Sequence, residues 1–201
     1  MRLILASASP RRAELLRAAG YTFGTIVTGV DEQLRPGEAP AQYVRRLAAE
    51  KSAAALALVT GHGIPGRVAS GFSRTDDVIV LGADTAVIVD GIVLGKPRDD
   101  DDAAAMMRRL SGRAHEVLTG ISLRDSASEV GKVETTFVSF KPLSDGEVAS
   151  YVASGEGRDK AGGYAIQGLA SRFVSVIQGS YSNVVGLPME ALGQLLSEFR
   201  R

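Results

Sequence analysis

Cysteine is absent from the 201 residues, which excludes disulfides, thiolate nucleophiles, iron-sulfur clusters and cysteine-based zinc sites together. Tryptophan is absent as well, and aromatic residues make up only 5%. The two histidines, His62 and His115, are far apart and form no His-Glu-x-x-His, which sets a zinc hydrolase aside. An excess of charge of either sign is also missing, since 23 Lys and Arg face 23 Asp and Glu and the isoelectric point is about 6.8. A broad nucleic-acid or anionic-membrane surface needs surplus cations to displace counterions, so neither partner is expected. No apolar run reaches the length of a membrane span. The opening Met1-Arg2-Leu3-Ile4-Leu5-Ala6 gives way at once to Ser7, Pro10, Arg11 and Arg12, and reads as a buried strand rather than a signal-peptide core. The expected compartment is the cytoplasm.

Signature loops are missing too. There is no Gly-x-x-x-x-Gly-Lys-Ser/Thr, no Gly-x-Gly-x-x-Gly after a strand and no Gly-x-Ser-x-Gly, so a Walker loop, a dinucleotide fingerprint and a serine nucleophile elbow are excluded. Apolar residues at 45% and charged residues at 23% are ordinary for a soluble domain of this size. The pattern reads as strand at Leu3–Ala6, then a helix from Pro10 to about Ala19 behind Ser9 as N-cap, with Leu15, Leu16 and Ala19 inward and Gly20 as the left-handed stop. A second helix starts near Pro40 and carries Tyr43, Val44, Leu47 and Ala48 on through Glu50 and Lys51. Strand signals follow at Val78–Leu81 and Ala86–Val89, with Asp90-Gly91 as a hairpin turn before Ile92-Val93-Leu94.

Asp99 to Asp102, followed by a helix ending in Arg108 and Arg109, matches the helix dipole, so the acidic run reads as a cap rather than a metal cluster. Two strands are expected near Val117–Leu123 and Val133–Phe140, then a capping box at Ser144-Asp145-Gly146-Glu147 and a helix to about Ala153. A last strand at Phe173–Ile177 and a helix opened by Pro188, with Leu192, Leu195, Leu196 and Phe199, complete an α/β chain with a mixed sheet.

What remains for chemistry is carboxylates and basic side chains, the set for magnesium-assisted phosphoryl transfer. In Ser7-Ala8-Ser9-Pro10-Arg11-Arg12, two arginines stand in a first helical turn that already carries partial positive charge. A bound anion would reverse that penalty, since strand, small-residue loop and helix N-terminus form a phosphate-binding arrangement; the plainer reading is a capped helix with solvated arginines. In Gly82-Ala83-Asp84-Thr85 a carboxylate interrupts an apolar block. Burying it is costly unless it is paired or holds a cation, so Asp84 is a candidate metal ligand or general base, against a side chain that caps a turn. Lys51, Lys96 and Lys160 stand beside small residues or Pro, and taken singly each reads as surface, as do Glu32 and Glu50. The Gly-rich run around Tyr164 and Gln167 fits either a turn-rich connection or a loop closing on a ligand.

Taken in order, Ser7 to Arg12, Val30-Asp31-Glu32, Glu50-Lys51, Gly82 to Thr85, Gly95-Lys96-Pro97, Leu110-Ser111-Gly112 and Asp159 to Gly168 resemble the Maf family of nucleoside triphosphate pyrophosphatases from Leu3 to about Leu196. The Asp159–Gly168 run is similar to the branch acting on dTTP and UTP, while the branch hydrolysing methylated GTP carries a different loop. The interval from Lys51 to Gly82 exceeds the family's usual spacing, which is read as a surface-loop insertion over 61–77 in one domain spanning 1–201.

The resemblance implies an elongated α/β fold with a curved mixed sheet flanked by helices, two lobes around a cleft as in the Maf and ITPase-like folds, and a homodimer. It further implies cleavage between the α and β phosphates to a monophosphate and pyrophosphate. Asp84 would activate water, with Lys51 and Lys96 as catalytic cations. Asp84 and Glu32 would hold Mg2+ or Mn2+. Ser7, Ser9, Arg12 and Lys160 would bind the triphosphate, and Arg11, Thr85 and Gln167 the base. The expected role is removal of non-standard or modified pyrimidine nucleotides; the alternative is a nucleotide-binding regulator of septum formation or cell division that senses rather than hydrolyses.

Overall fold

β1 (Arg2–Ala6) runs parallel to a neighbour on either side, β2 (Phe23–Thr25) and β3 (Val78–Val89). A strand flanked in this way is covered on both faces, which is why Leu3 to Ala6 is one apolar run and all of it is buried. This computed structural model describes residues 2–61 and 78–199. The loop expected over 61–77 therefore lies, beyond Gly61, outside the described residues, as does His62.

The remaining strands are β4 (Ile92–Leu94), β5 (Ala114–Arg124), β6 (Glu129–Phe140) and β7 (Val174–Gln178). They complete a seven-stranded mixed sheet of order β2-β1-β3-β5-β6-β7, with β4 paired antiparallel to β3. Six α-helices occur among the described residues: α1 (Pro10–Ala18), α2 (Pro40–Val59), α3 (Asp100–Leu110), α4 (Asp145–Ala153), α5 (Tyr181–Val185) and α6 (Met189–Phe199). None of them is long and apolar enough to cross a membrane.

The chain divides into two compact units, and the divisions fall inside β3, β5 and β6. The first holds the described residues up to Asp84, Gly120–Val133 and those from Met189 onward. Its core includes Ile4, Ala6, Ala55, Val78 and Val80. α2 presents a stripe of Val44, Leu47, Ala48, Lys51, Ser52 and Ala55, at helical spacing, with one lysine in the middle of it. α1 buries Arg12, Ala13 and Leu16, not the expected Leu15 and Ala19; the apolar face is rotated because Arg12 turns inward. Its end is as read: Gly20 has φ +79°, and the amides of Gly20 and Tyr21 bond the carbonyls of Arg17 (2.9 Å) and Leu16 (3.0 Å) in a Schellman closure.

The second unit comprises Thr85–Thr119 and Glu134–Pro188. α3 is capped by Asp99, whose carboxylate accepts from the Asp102 amide at 2.7 Å. Asp102 takes Arg98 and Asp100 takes Arg158, so the acidic run is a cap with ion pairs. The Ser144–Glu147 capping box of α4 is present in both directions. The core here is aromatic: Phe140 meets His115 edge-on at 5.0 Å and Tyr164 at 4.9 Å, and Tyr151 meets Phe173 at 5.6 Å. Three details differ from expectation. Val78 to Val89 is one unbroken strand through Asp84, β5 and β6 extend beyond their apolar stretches, and the short β2 and α5 carry no periodic signal. Strand pairing carries the added strand residues, and α5 is capped by the Ser180 side chain, which accepts the Asn183 amide at 3.3 Å.

Candidate active site

The parallel register pairs Ala6 with Gly82. Past that point β1 turns into the Ser7–Ser9 loop while β3 continues to Asp84, so both arrive at the carboxyl edge of a parallel pair, the edge where open α/β sheets bind ligands. α2 is laid on this edge by glycine. A Cβ at Gly82 would stand 2.0 Å from the Ala48 carbonyl oxygen and 2.8 Å from the Ser52 amide, and one at Gly120 would stand 2.3 Å from the Val44 oxygen. With the helix backbone this close, Lys51 projects from the buried stripe onto Asp84.

Lys51 Nζ lies 2.6 Å from Asp84 Oδ1 and 2.6 Å from Glu32 Oε1, a single ammonium between two carboxylates. The Lys51 and Asp84 side chains are 9% and 11% exposed, whereas Glu32 is 47% exposed. Arg12, also buried, donates from Nη1 to Ser7 Oγ at 3.0 Å, and the same hydroxyl accepts the Ser9 amide at 3.1 Å. Ser9 occupies the N-cap position of α1, but its side chain makes no capping bond. Burial pulls the Arg12 guanidinium down from its ordinary range; Asp84 and Glu32 oppose that shift and neighbouring Arg11 adds to it. A guanidinium keeps its proton regardless. Arg12 and Lys51 thus face Asp84 and Glu32, with Arg11 next to Arg12 in the chain, a group of cations at a helix N-terminus that suits a polyanion.

The other expected residues, Thr85, Lys96, Lys160 and Gln167, belong to the second unit. The Lys96 loop is tied to the Gly-rich run by the Gly162 amide, which donates to the Gly95 carbonyl at 3.0 Å. Gly162 is required there: its φ is +71°, and a Cβ would meet Val87 at 2.9 Å. Lys96 is exposed, Lys160 pairs with Asp159, and Gln167 is exposed. The Thr85 hydroxyl contacts Thr119 Oγ1 at 2.9 Å, which itself donates to the Asn183 carbonyl at 3.2 Å. The structure therefore joins Ser7, Ser9, Arg12, Glu32, Lys51 and Asp84 in one cluster, and links the Lys96 loop to the run that begins at Lys160.

Several functional-looking residues carry no sequence signal of that kind. Tyr43, read above as part of an apolar face, donates its hydroxyl to the Glu32 carbonyl at 2.9 Å. Burial first, then the charges of Asp84 and Glu32, push its hydroxyl up to about 12. The run around Gln167 is pinned on both sides: the Ala165 amide donates to the Tyr151 hydroxyl at 3.0 Å and the Leu169 amide to Glu156 Oε2 at 2.9 Å. His115 Nε2 meets the Tyr164 hydroxyl at 2.8 Å. Two carboxylates converging on one cation are a fit for an oxygen-loving divalent ion that keeps waters and takes phosphate oxygens. Among the described residues no group of three or more Asp, Glu or His side chains is placed to hold a metal.

Comparison with known proteins identifies similar chains. The chain is 49% identical over 197 residues to the dTTP/UTP pyrophosphatases of Escherichia coli (strain K12) and Shigella dysenteriae serotype 1 (strain Sd197), covering 98% of this chain and 92% of each relative. It is equally similar, over the same shares, to the nucleoside triphosphate pyrophosphatase of Shigella flexneri. The family profile described as Maf-like protein matches residues 2–199. On the strength of that match, the chain belongs to the Maf family.

Proposed function

We propose that this protein is a hydrolase that cleaves dTTP and UTP to the nucleoside monophosphate and pyrophosphate. The observation that carries the reading is the Lys51 ammonium held between Asp84 and Glu32 beside Arg12 and the Ser7 loop. Its relatives are named as enzymes of this kind, and a water-activating carboxylate is superfluous in a protein that only senses nucleotides.

The α1 N-terminus, Ser7, Ser9 and Arg12 bind triphosphate oxygens, with Lys96 and Lys160 as further cations. Asp84 accepts the proton of the water that attacks the α-phosphorus. Lys51 orients Asp84 and offsets negative charge that develops during transfer. Asp84 and Glu32 would hold Mg2+ or Mn2+, which when bound would neutralise phosphate charge. Arg11, Thr85 and Gln167 choose the base. The Gln167 amide carries one acceptor and two donors, enough to pair with the N3–H and O4 edge of uracil or thymine, and a base that presents the opposite pattern there leaves the site's polar groups unpaired.

The test is pyrophosphate release from dTTP, UTP, CTP, dATP, GTP and methylated GTP, with and without divalent metal. Release confined to dTTP and UTP is expected, with a loss of about 100-fold or more in Asp84→Asn. Near wild-type turnover by a folded Asp84→Asn protein would end the base assignment, and tight dTTP binding without turnover by the wild type would favour the regulator.

A further inference from the structure

Glu32 rides on a segment, residues 31–38, that has no helix or strand and is mostly exposed. Nothing in its own conformation explains why its carboxylate should reach Lys51. α2 supplies the explanation. Arg46 grips Glu38 with both edges of its guanidinium, Nε to Oε1 at 2.6 Å and Nη2 to Oε2 at 2.8 Å. Nη2 also donates to the Gln33 carbonyl at 3.1 Å, and Nη1 to Glu50 Oε2 at 3.1 Å. Glu50 in turn takes Arg35 at 2.9 Å, and the Arg35 amide donates to Glu38 Oε2 at 3.1 Å. Tyr43 holds the Glu32 carbonyl itself.

This is unlike an ordinary surface ion pair. The Arg46 and Glu38 side chains are 14% and 9% exposed, against 61% for Arg35, and forked, desolvated pairing is the strong and geometrically specific kind. The residues that grip the segment, Tyr43, Arg46 and Glu50, stand on the same rigid helix as Lys51. One element therefore sets both the position of the ammonium and the position of the carboxylate that meets it.

We propose that Arg46, through Glu38 and the Gln33 carbonyl, is a positioning residue that holds residues 31–38 so that Glu32 is presented to Lys51 and Asp84. The inference rests on the proposed pyrophosphatase reading only for its kinetic consequence. Loss of the clamp leaves the reacting groups chemically intact and misplaced, which lowers kcat more than it raises KM.

The first measurement is hydrogen exchange of the amides of residues 32–38 in the wild type, Arg46→Ala, Arg46→Lys and Glu38→Gln. Faster exchange in that segment, with α2 still protected, is expected in all three variants. Unchanged exchange would overturn the clamp, and this reading needs no activity. The second is kinetics with dTTP. Arg46→Ala is expected to lower kcat by about ten- to a hundredfold, whereas in a Glu32→Gln background the same change costs less than about threefold, because Arg46 acts through Glu32. Losses that multiply in the double variant would overturn the proposal. Should Arg46→Ala fail to fold, Arg46→Lys, which keeps the charge and loses the fork, carries the same cycle. A wild type that releases no pyrophosphate would sink the functional reading, while hydrogen exchange would still decide the clamp.

Discussion

Lys51 stands where α2 should carry a leucine. Its place in the stripe between Ala48 and Ser52 is buried, and a buried ammonium persists only where carboxylates answer it. Lys51→Met fits the stripe but strands Asp84, so a loss of about 3 kcal/mol is expected in urea denaturation, and adding Asp84→Asn should return part of it. Equal or larger loss in the double variant would contradict the pairing. His115 obeys a different logic. Among the described residues its Nδ1 is buried with no hydrogen-bond partner, and burial pushes the imidazole down to about 4. Unfolded histidine titrates near 6.5, so between those values the unfolded chain binds more protons. Stability is therefore complete above about pH 6.5 and falls as the pH drops toward 4, with a slope approaching 1.4 kcal/mol per pH unit. Denaturation midpoints at pH 7.5, 6 and 5 check this, and His115→Phe should flatten the part above pH 5. Asp84 was readable as exceptional from sequence because a charge inside an apolar block is conspicuous. Tyr43, Arg46 and Glu38 were not, because an amphipathic helix and an acidic loop look the same whether or not they touch.

At the scale of elements, α1 and α2 set the site by how they end and by what they rest on. The strand-loop-helix opening was legible from Pro10 and Gly20, since proline at a first turn and glycine past a last one have local causes. The contact of α2 with β3 was not legible, although its physical basis is a single residue. A methyl group at Gly82 meets the backbone of Ala48 and Ser52 rather than a movable side chain. Gly82→Ala is accordingly expected to lower stability by about 1–3 kcal/mol and to reduce turnover by shifting Lys51 from Asp84, read from denaturation midpoints and kcat together. Wild-type values of both would show that α2 does not depend on this close approach.

For the molecule as a whole, ligand linkage offers a reading independent of turnover. In Asp84→Asn, which binds without hydrolysing, dTTP at a hundred times its dissociation constant should add about 2.7 kcal/mol. For a chain of this size that is a rise in Tm of about 5–10 °C, with GTP giving less. Gln167→Ala should shrink the dTTP shift and spare that of pyrophosphate; equal losses would make the loop structural. The sequence alone determined the α/β class, the helix start at Pro10, the helix caps at Asp99 and Ser144, the Asp90-Gly91 hairpin and the ordered set of motifs that places the chain in its family, because each depends on neighbours a few residues apart. Only the tertiary structure decided that Lys51 meets Asp84 and Glu32, that Arg12 turns inward onto Ser7, and that α2 clamps residues 31–38. Those contacts join positions up to 33 residues apart, and their energy comes from burial and close approach, which exist only once the helix lies on Gly82 and Gly120.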